Sequence, residues 1–243
     1  MYHLSMRRFF GRIENEEAIV EGDEYVHLHS VLRARIGDEI VVYNGSENEY
    51  FCKIKVLNKN YALCDVYDVK KCSGLPKKNI MLFQALTKRD KMEIVLQKAV
   101  ELGITKLIPF ESEFCTVKPS ENKRDRLEKL VISACKQCER SVPMEIGECI
   151  KFDKLEKQIE DFLKKENSIV LFANERDGNA FDFSILKKMK NIAIIVGSEG
   201  GFAEKEKERL CKLCESVSLG ERILRSETAS IVLCGMASVI GEN

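Results

Sequence analysis

Two runs of consecutive apolar residues, Ile169–Phe172 and Ile192–Val196, constrain this chain more than any other feature. A strand that alternates apolar and polar residues covers one face of a core, whereas a strand apolar at every position is buried on both faces. Such strands need helices above and below them, and the flanking sequence supplies these. Asp90–Leu102 places Met92, Val95, Leu96, Ala99 and Val100 on one stripe and stops at Gly103. Arg124–Cys138 turns Leu127, Leu130, Val131, Ala134 and Cys138 inward. Leu155–Leu163, the charged stretch Ala203–Cys214 and the apolar stretch Ser226–Ile240 read as further helices, and Ile80–Phe83, Lys106–Phe110 and Val217–Leu219 as further strands. Repeated strand–helix units predict an α/β fold with a parallel sheet covered on both faces.

Residues 7–70 follow another pattern. Short strand-like runs, among them Glu39–Tyr43 and Tyr50–Val56, are separated by turn signals at Gly37-Asp38 and Asn44-Gly45, with one helical stretch at Asp23–Leu32. This reads as a small β-rich barrel or sandwich. The polar stretch Lys70–Lys78 contains Gly74 and Pro76 and is the best linker. The expected domains are therefore 1–72 and 73–243.

Lys+Arg and Asp+Glu both number 39, so whole-chain charge argues for no particular partner and any basic surface must arise from local clustering. No apolar run approaches the roughly 18 residues of a membrane span. The start, MYHLSMRRFF, lacks a secretory pattern, so a cytoplasmic location is expected, with Met1–Ser5 read as a short extension. Ten cysteines are scattered along the chain, and two Cys-x-x-Cys pairs, Cys135/Cys138 and Cys211/Cys214, lie within helical patterns. Cysteines three apart on a helix share a face and pack as small hydrophobes, so neither a disulfide framework nor a metal site is expected.

Ligands of open parallel sheets bind at the carboxyl ends of the strands. Three loops occupy such positions: Ala173-Asn174-Glu175, Gly197-Ser198-Glu199-Gly200-Gly201 and Gly220–Arg225. The glycines of the second loop permit close approach of backbone to a ligand, although a simple chain-reversing turn explains them equally well. It is neither a Gly-x-Gly-x-x-Gly fingerprint nor a P-loop. The third loop sets Arg222 and Arg225 before a helix that Ser226 can cap. Arginines and aromatics also interleave at Arg7-Arg8-Phe9-Phe10, with Arg33, Lys88 and Arg89 elsewhere. Such side chains bind phosphates and stack bases, and a solvated edge is the competing reading for each cluster alone.

Arg7–Phe10, His29–Arg33, Gln97–Gly103, Gly197–Gly201 and Leu219–Ala229 resemble, in order and spacing, the ribosomal RNA small subunit methyltransferase E family of the SPOUT class. Where that family often has proline, this chain has Ser198 and Glu221, and where it often has Ser-Glu-Arg, this chain has Ser112-Glu113-Phe114. The resemblance implies an N-terminal PUA-like β-barrel and a SPOUT-type parallel sheet closed by a trefoil knot. It implies a homodimer that uses S-adenosylmethionine, without a metal, to methylate N3 of a uridine in 16S rRNA of the small ribosomal subunit. The implied cofactor residues are Phe172, Asn174, Gly197, Ser198, Gly200, Gly201, Leu219, Gly220, Ile223, Leu224 and Thr228. Arg225 and Glu199 are the implied catalytic pair, and Arg7, Arg8, Arg33, Lys88, Arg89, Arg140 and Arg222 the RNA contacts. A nucleotide-cofactor oxidoreductase and a non-catalytic RNA-binding assembly factor are the alternatives.

Overall fold

The computed structural model describes residues 6–119, 124–174 and 180–242. Met1–Ser5 and the loop residue Glu175 lie outside the described residues. The chain forms two compact units. One runs from the N-terminus to Leu75 and takes in Ile132–Pro143; the other comprises Pro76–Val131 and Met144–Asn243. The division thus falls three residues beyond the expected one, and it gives a stretch of the later sequence to the earlier unit.

The first unit contains β1 (Arg8–Phe10), β2 (Arg12–Glu14), β3 (Glu17–Glu21), α1 (Gly22–Val26), β4 (Glu39–Tyr43), β5 (Asn48–Leu57) and β6 (Tyr61–Lys71). The expected helix Asp23–Leu32 is instead α1 followed by a π-helical turn, His27–Val31. The strands form one sheet in the order β1-β4-β5-β6-β3-β2 around Phe9, Val20, Leu28, Ile40, Val42 and Ile54. Its two outermost strands are consecutive in the chain and joined only by Gly11, so one extended run serves both edges, as in a closed barrel. Gly11 is required there: a Cβ would stand 2.5 Å from the Ile19 carbonyl oxygen.

Ile132–Pro143 is tied into this unit by charge. Lys136 Nζ lies 2.5 Å from Glu24 Oε1, and Arg8 Nη2 lies 2.8 Å from Glu139 Oε2. The Cys72 thiol donates to the Glu139 carbonyl.

The second unit holds β7 (Asn79–Ala85), α2 (Arg89–Glu101), β8 (Lys106–Glu111), the start of α3 (Arg124–Gln137), β9 (Glu145–Ile146), β10 (Ile150–Lys151), α4 (Phe152–Leu163), β11 (Ser168–Ala173), β12 (Asn191–Val196), α5 (Glu204–Leu213), β13 (Glu215–Val217) and α6 (Ser226–Glu242). Every pairing in its sheet is parallel, in the order β10-β8-β7-β12-β11-β13, with β9 also on β8. Phe83, Phe110, Phe172 and Ile195 point to the face covered by Leu155, Ile159 and Phe162 of α4 and Leu210 of α5. Strand alternation turns Leu82, Gln84 and Ile194 the other way, and α6 packs against β7, β12 and α2. Both faces are therefore covered, as the apolar runs require. Strand β13 lies two residues before its expected position. Glu215 and Ser216 pair with β11 through backbone alone, and their polar side chains give no strand pattern.

Candidate active site

The loops after β11, β12 and β13 converge on a cleft of about 500 Å³, a usual size for a small-molecule site. Its walls include Phe172, Asn174, Gly197, Ser198, Glu199, Gly201, Leu219, Gly220, Arg222, Ile223, Leu224 and Arg225. The structure therefore brings together most of the residues singled out from sequence. Phe172, Val196, Phe202 and Val217 are buried and make an apolar floor. Cations and carboxylates surround it: Lys88, Lys91, Lys207, Arg222, Arg225, Glu199 and Glu227.

The glycines divide by role. Gly201, at φ +70°, and Gly220, at φ +104°, hold left-handed backbone, and no atom lies within 4 Å of where a Cβ would stand. Both line the cleft, so open space lies beside their backbone there. Gly197 and Gly200 instead make room for aromatic rings or backbone. A Cβ on Gly197 would stand 2.7 Å from the Phe202 ring, and one on Gly200 would stand 2.8 Å from Phe114 Cβ. Gly200 thus packs against Phe114. Ser198 Oγ donates to the Phe114 carbonyl at 3.4 Å, so the second loop leans on Phe114 at both residues. Thr228 is exposed on α6, and Ser226, Glu227 and Ala229 beside it line the cleft.

A buried polar network that the sequence reading missed fixes the second loop. Gln84, fully buried on β7, donates through Nε2 to Ser226 Oγ at 3.1 Å and to the Gly197 carbonyl at 3.4 Å. Ser226 Oγ donates to the same carbonyl, and Ser230 Oγ donates to Gln84 Oε1 and to the Ser226 carbonyl. Strand β7, the loop after β12 and helix α6 are thereby joined beneath the cleft. The signal was present: Gln84 is a polar residue inside the apolar run of β7. Ser226 directs its hydroxyl into this network.

On the rim, the Lys88 N–H donates to Glu199 Oε1 at 3.2 Å, linking the second loop to the start of α2. Lys91 Nζ pairs with Glu227 Oε1 at 3.1 Å. Burial pushes the Glu227 carboxyl up, but a backbone N–H, Lys91 and Arg225 together hold it below the ordinary glutamate value. Asn174 is buried and donates to Ser216 Oγ at 3.1 Å, bracing the first loop against β13.

The other expected RNA contacts lie in different surroundings. Arg7 and Arg33 are exposed on the first unit. Arg8 is mostly engaged within it, donating to the Tyr43 hydroxyl and the Met6 carbonyl beside its Glu139 pair. Arg140 is corrected: it is 3% exposed and donates to the Val142 carbonyl, and burial lowers its pKa, so it presents no surface to a phosphate. Arg89 is exposed and paired with Glu93. None of the ten cysteines is in a disulfide, and among the described residues no three His, Cys, Asp or Glu side chains come together as a metal set. No helix among the described residues is long and apolar enough to cross a membrane.

Comparison with known proteins places these features in context. Residues 74–238 match the RNA methyltransferase domain family, and residues 20–67 match the RNA methyltransferase PUA domain. Ribosomal RNA small subunit methyltransferase E of Rickettsia conorii is 35% identical over 95% of this chain and 93% of its own. The protein of the same name from Bacillus subtilis is 30% identical, over 93% of each chain. The solved structure of ribosomal RNA small subunit methyltransferase E from Neisseria gonorrhoeae bound to S-adenosyl methionine superposes with a TM-score of 0.81 at 28% identity, covering 94% of this chain and 95% of that one.

Proposed function

Because this chain belongs to the ribosomal RNA small subunit methyltransferase E family, we propose that it transfers the methyl group of S-adenosylmethionine to N3 of a uridine in 16S rRNA. The cleft at the ends of β11, β12 and β13 carries this reading. Its apolar floor suits adenine, and the open backbone at Gly201 and Gly220 suits close approach of a ribose and its substituents. Backbone at Gly197, Leu219 and Leu224 would complete the cradle. An oxidoreductase or a purely RNA-binding protein is not favoured by this family membership.

When bound, the cofactor supplies an electrophilic methyl carbon beside a positive sulfur, and needs no metal. The chain's own residues supply orientation and charge. Uracil N3 carries a weakly acidic proton that must leave before nitrogen attacks carbon. Arg225 stabilises the resulting charge on the uracil oxygens. Glu199, held by the Lys88 N–H, orients the donor or receives that proton. Arg222 and Lys88 face the RNA at the cleft rim, and Arg7 and Arg33 bind phosphates on the first unit.

The family reading also carries a homodimer, a cytoplasmic location and the trefoil knot. Support for the dimer comes from α6, where the apolar residues Val232 and Val239 are exposed. Support for the knot comes from β12, which lies between β7 and β11, two strands that precede it in the chain. The experiment for the activity is a map of methylated nucleotides in 16S rRNA with and without the protein. A new N3-methyluridine at one position is expected, and an unchanged map overturns the reading.

A further inference from the structure

A second cavity, of about 640 Å³, opens in the same unit and takes no part in the site above. Leu86, Met92, Pro109 and Leu127 give it apolar walls. Among the described residues its charged lining is Arg89, Lys118, Arg124 and Arg126 against Glu93 and Glu148, four cations to two carboxylates in a chain with no net charge overall. Arg89 Nε and Arg126 Nη2 share Glu93 Oε1, at 3.1 and 2.7 Å. A guanidinium has five donors, so both retain capacity for further acceptors.

Thr87 gives an independent sign of a ligand. It lines this cavity, is 3% exposed, and its hydroxyl has no hydrogen-bond partner among the described residues. A buried hydroxyl left unpaired costs about 1–3 kcal/mol. A valine of the same shape would avoid that cost; the hydroxyl is closed off from water in this conformation, and a polar occupant of the cavity meets it once the side chain turns to another rotamer. The location also matters. Lys88 lines the cofactor cleft, whereas its neighbours Thr87 and Arg89 line the second cavity. Neighbouring Cα atoms are about 3.8 Å apart, so one turn of chain forms a wall of both.

We propose that this cavity holds a nucleotide of the substrate RNA that flanks the target uridine, with its base on the apolar wall, a base-edge group on the Thr87 hydroxyl, and phosphates on Arg89, Arg124 and Arg126. This rests on the RNA methyltransferase reading above. A flipped target in the cleft leaves the strand to continue past the Thr87–Arg89 turn, and a cationic cavity with an apolar wall and one unpaired hydroxyl receives the next unstacked nucleotide.

Two variants of the full chain test the assignment: the double variant Arg124→Ala/Arg126→Ala, and Thr87→Val. Binding of small-subunit ribosomal RNA is measured across a salt series, alongside melting temperature and S-adenosylmethionine affinity. Each lost phosphate contact flattens the plot of log affinity against log salt by about 0.7 for single strands. The double variant should therefore lose about 1.4 from the slope. Thr87→Val should melt at or above the parent temperature, because an unpaired buried hydroxyl is gone, yet bind RNA more weakly with the slope unchanged. A merely structural threonine would not separate those readouts. Parent affinity and parent slope in both variants overturn the proposal while leaving the methyltransferase reading intact. Failure of the parent protein to bind or methylate this RNA overturns that reading instead.

Discussion

At the scale of single residues, the cleft rests on positions whose backbone admits few substitutes. Gly201 combines left-handed backbone with open space toward the ligand. Gly201→Val should cost about 1–2 kcal/mol in backbone strain, or about 2–8 °C in melting temperature for a chain of this size. It should also weaken S-adenosylmethionine binding by about tenfold or more, a loss of about 1.4 kcal/mol. Calorimetric titration reads this directly, and unchanged affinity would remove the loop from the site. Arg225 is exposed at the cleft, and the proposed mechanism has it act only as charge develops on the base. Arg225→Ala should lower the single-turnover methyl-transfer rate by about 100-fold while changing RNA affinity far less. Full rescue by excess RNA would make Arg225 an ordinary phosphate contact. The sequence displayed Gly201 through its place after the apolar strand β12 and Arg225 through its place just before the apolar helix α6. It could not separate Gly200, which yields to Phe114, from the glycines that face the cleft, because both look alike until the packing is known.

At the scale of elements, the strands buried on both faces were the most legible, since continuous apolar runs report burial directly. Strand β13 was displaced because Glu215 and Ser216 are polar and give no strand pattern, and the π-helical turn after α1 has no periodic signature. Helix α6 was legible as an apolar helix, but not as the partner of Gln84. That contact joins residues 142 and 146 positions apart in the chain. The N-terminal turn of α6 also carries a pH response. Glu227 is held below its ordinary pKa and pairs with Lys91. A carboxylate with a depressed folded-state pKa contributes stability that is fully present above its unfolded value and is lost as pH falls through the folded one. Melting temperature should therefore fall as pH drops below the ordinary glutamate range, and Glu227→Gln should flatten that part of the curve. An identical acid limb in the variant would assign the response to other groups.

At the scale of the whole molecule, the proposed dimer should appear in light scattering at micromolar concentration as twice the chain mass, and the monomer mass would count against it. Linker chemistry put the expected boundary near residue 72, and the compact units part at Leu75. The return of Ile132–Pro143 to the first unit was not, since it depends on ion pairs such as Arg8–Glu139 and Lys136–Glu24 between distant parts of the sequence. A fragment ending at Leu75 lacks both partners and should unfold at lower denaturant concentration than the unit does in the intact chain; equal midpoints would show that the returning segment contributes nothing. The same feature sets an order of events during synthesis. The N-terminal unit starts to leave the ribosome before the other, yet its last structural piece is encoded after about a third of the other unit. Until Pro143 has emerged, the pairs Arg8–Glu139 and Glu24–Lys136 are not all in place, and the nascent chain holds the six strands of the first unit without the segment that completes it, while strands of the second unit are already being made.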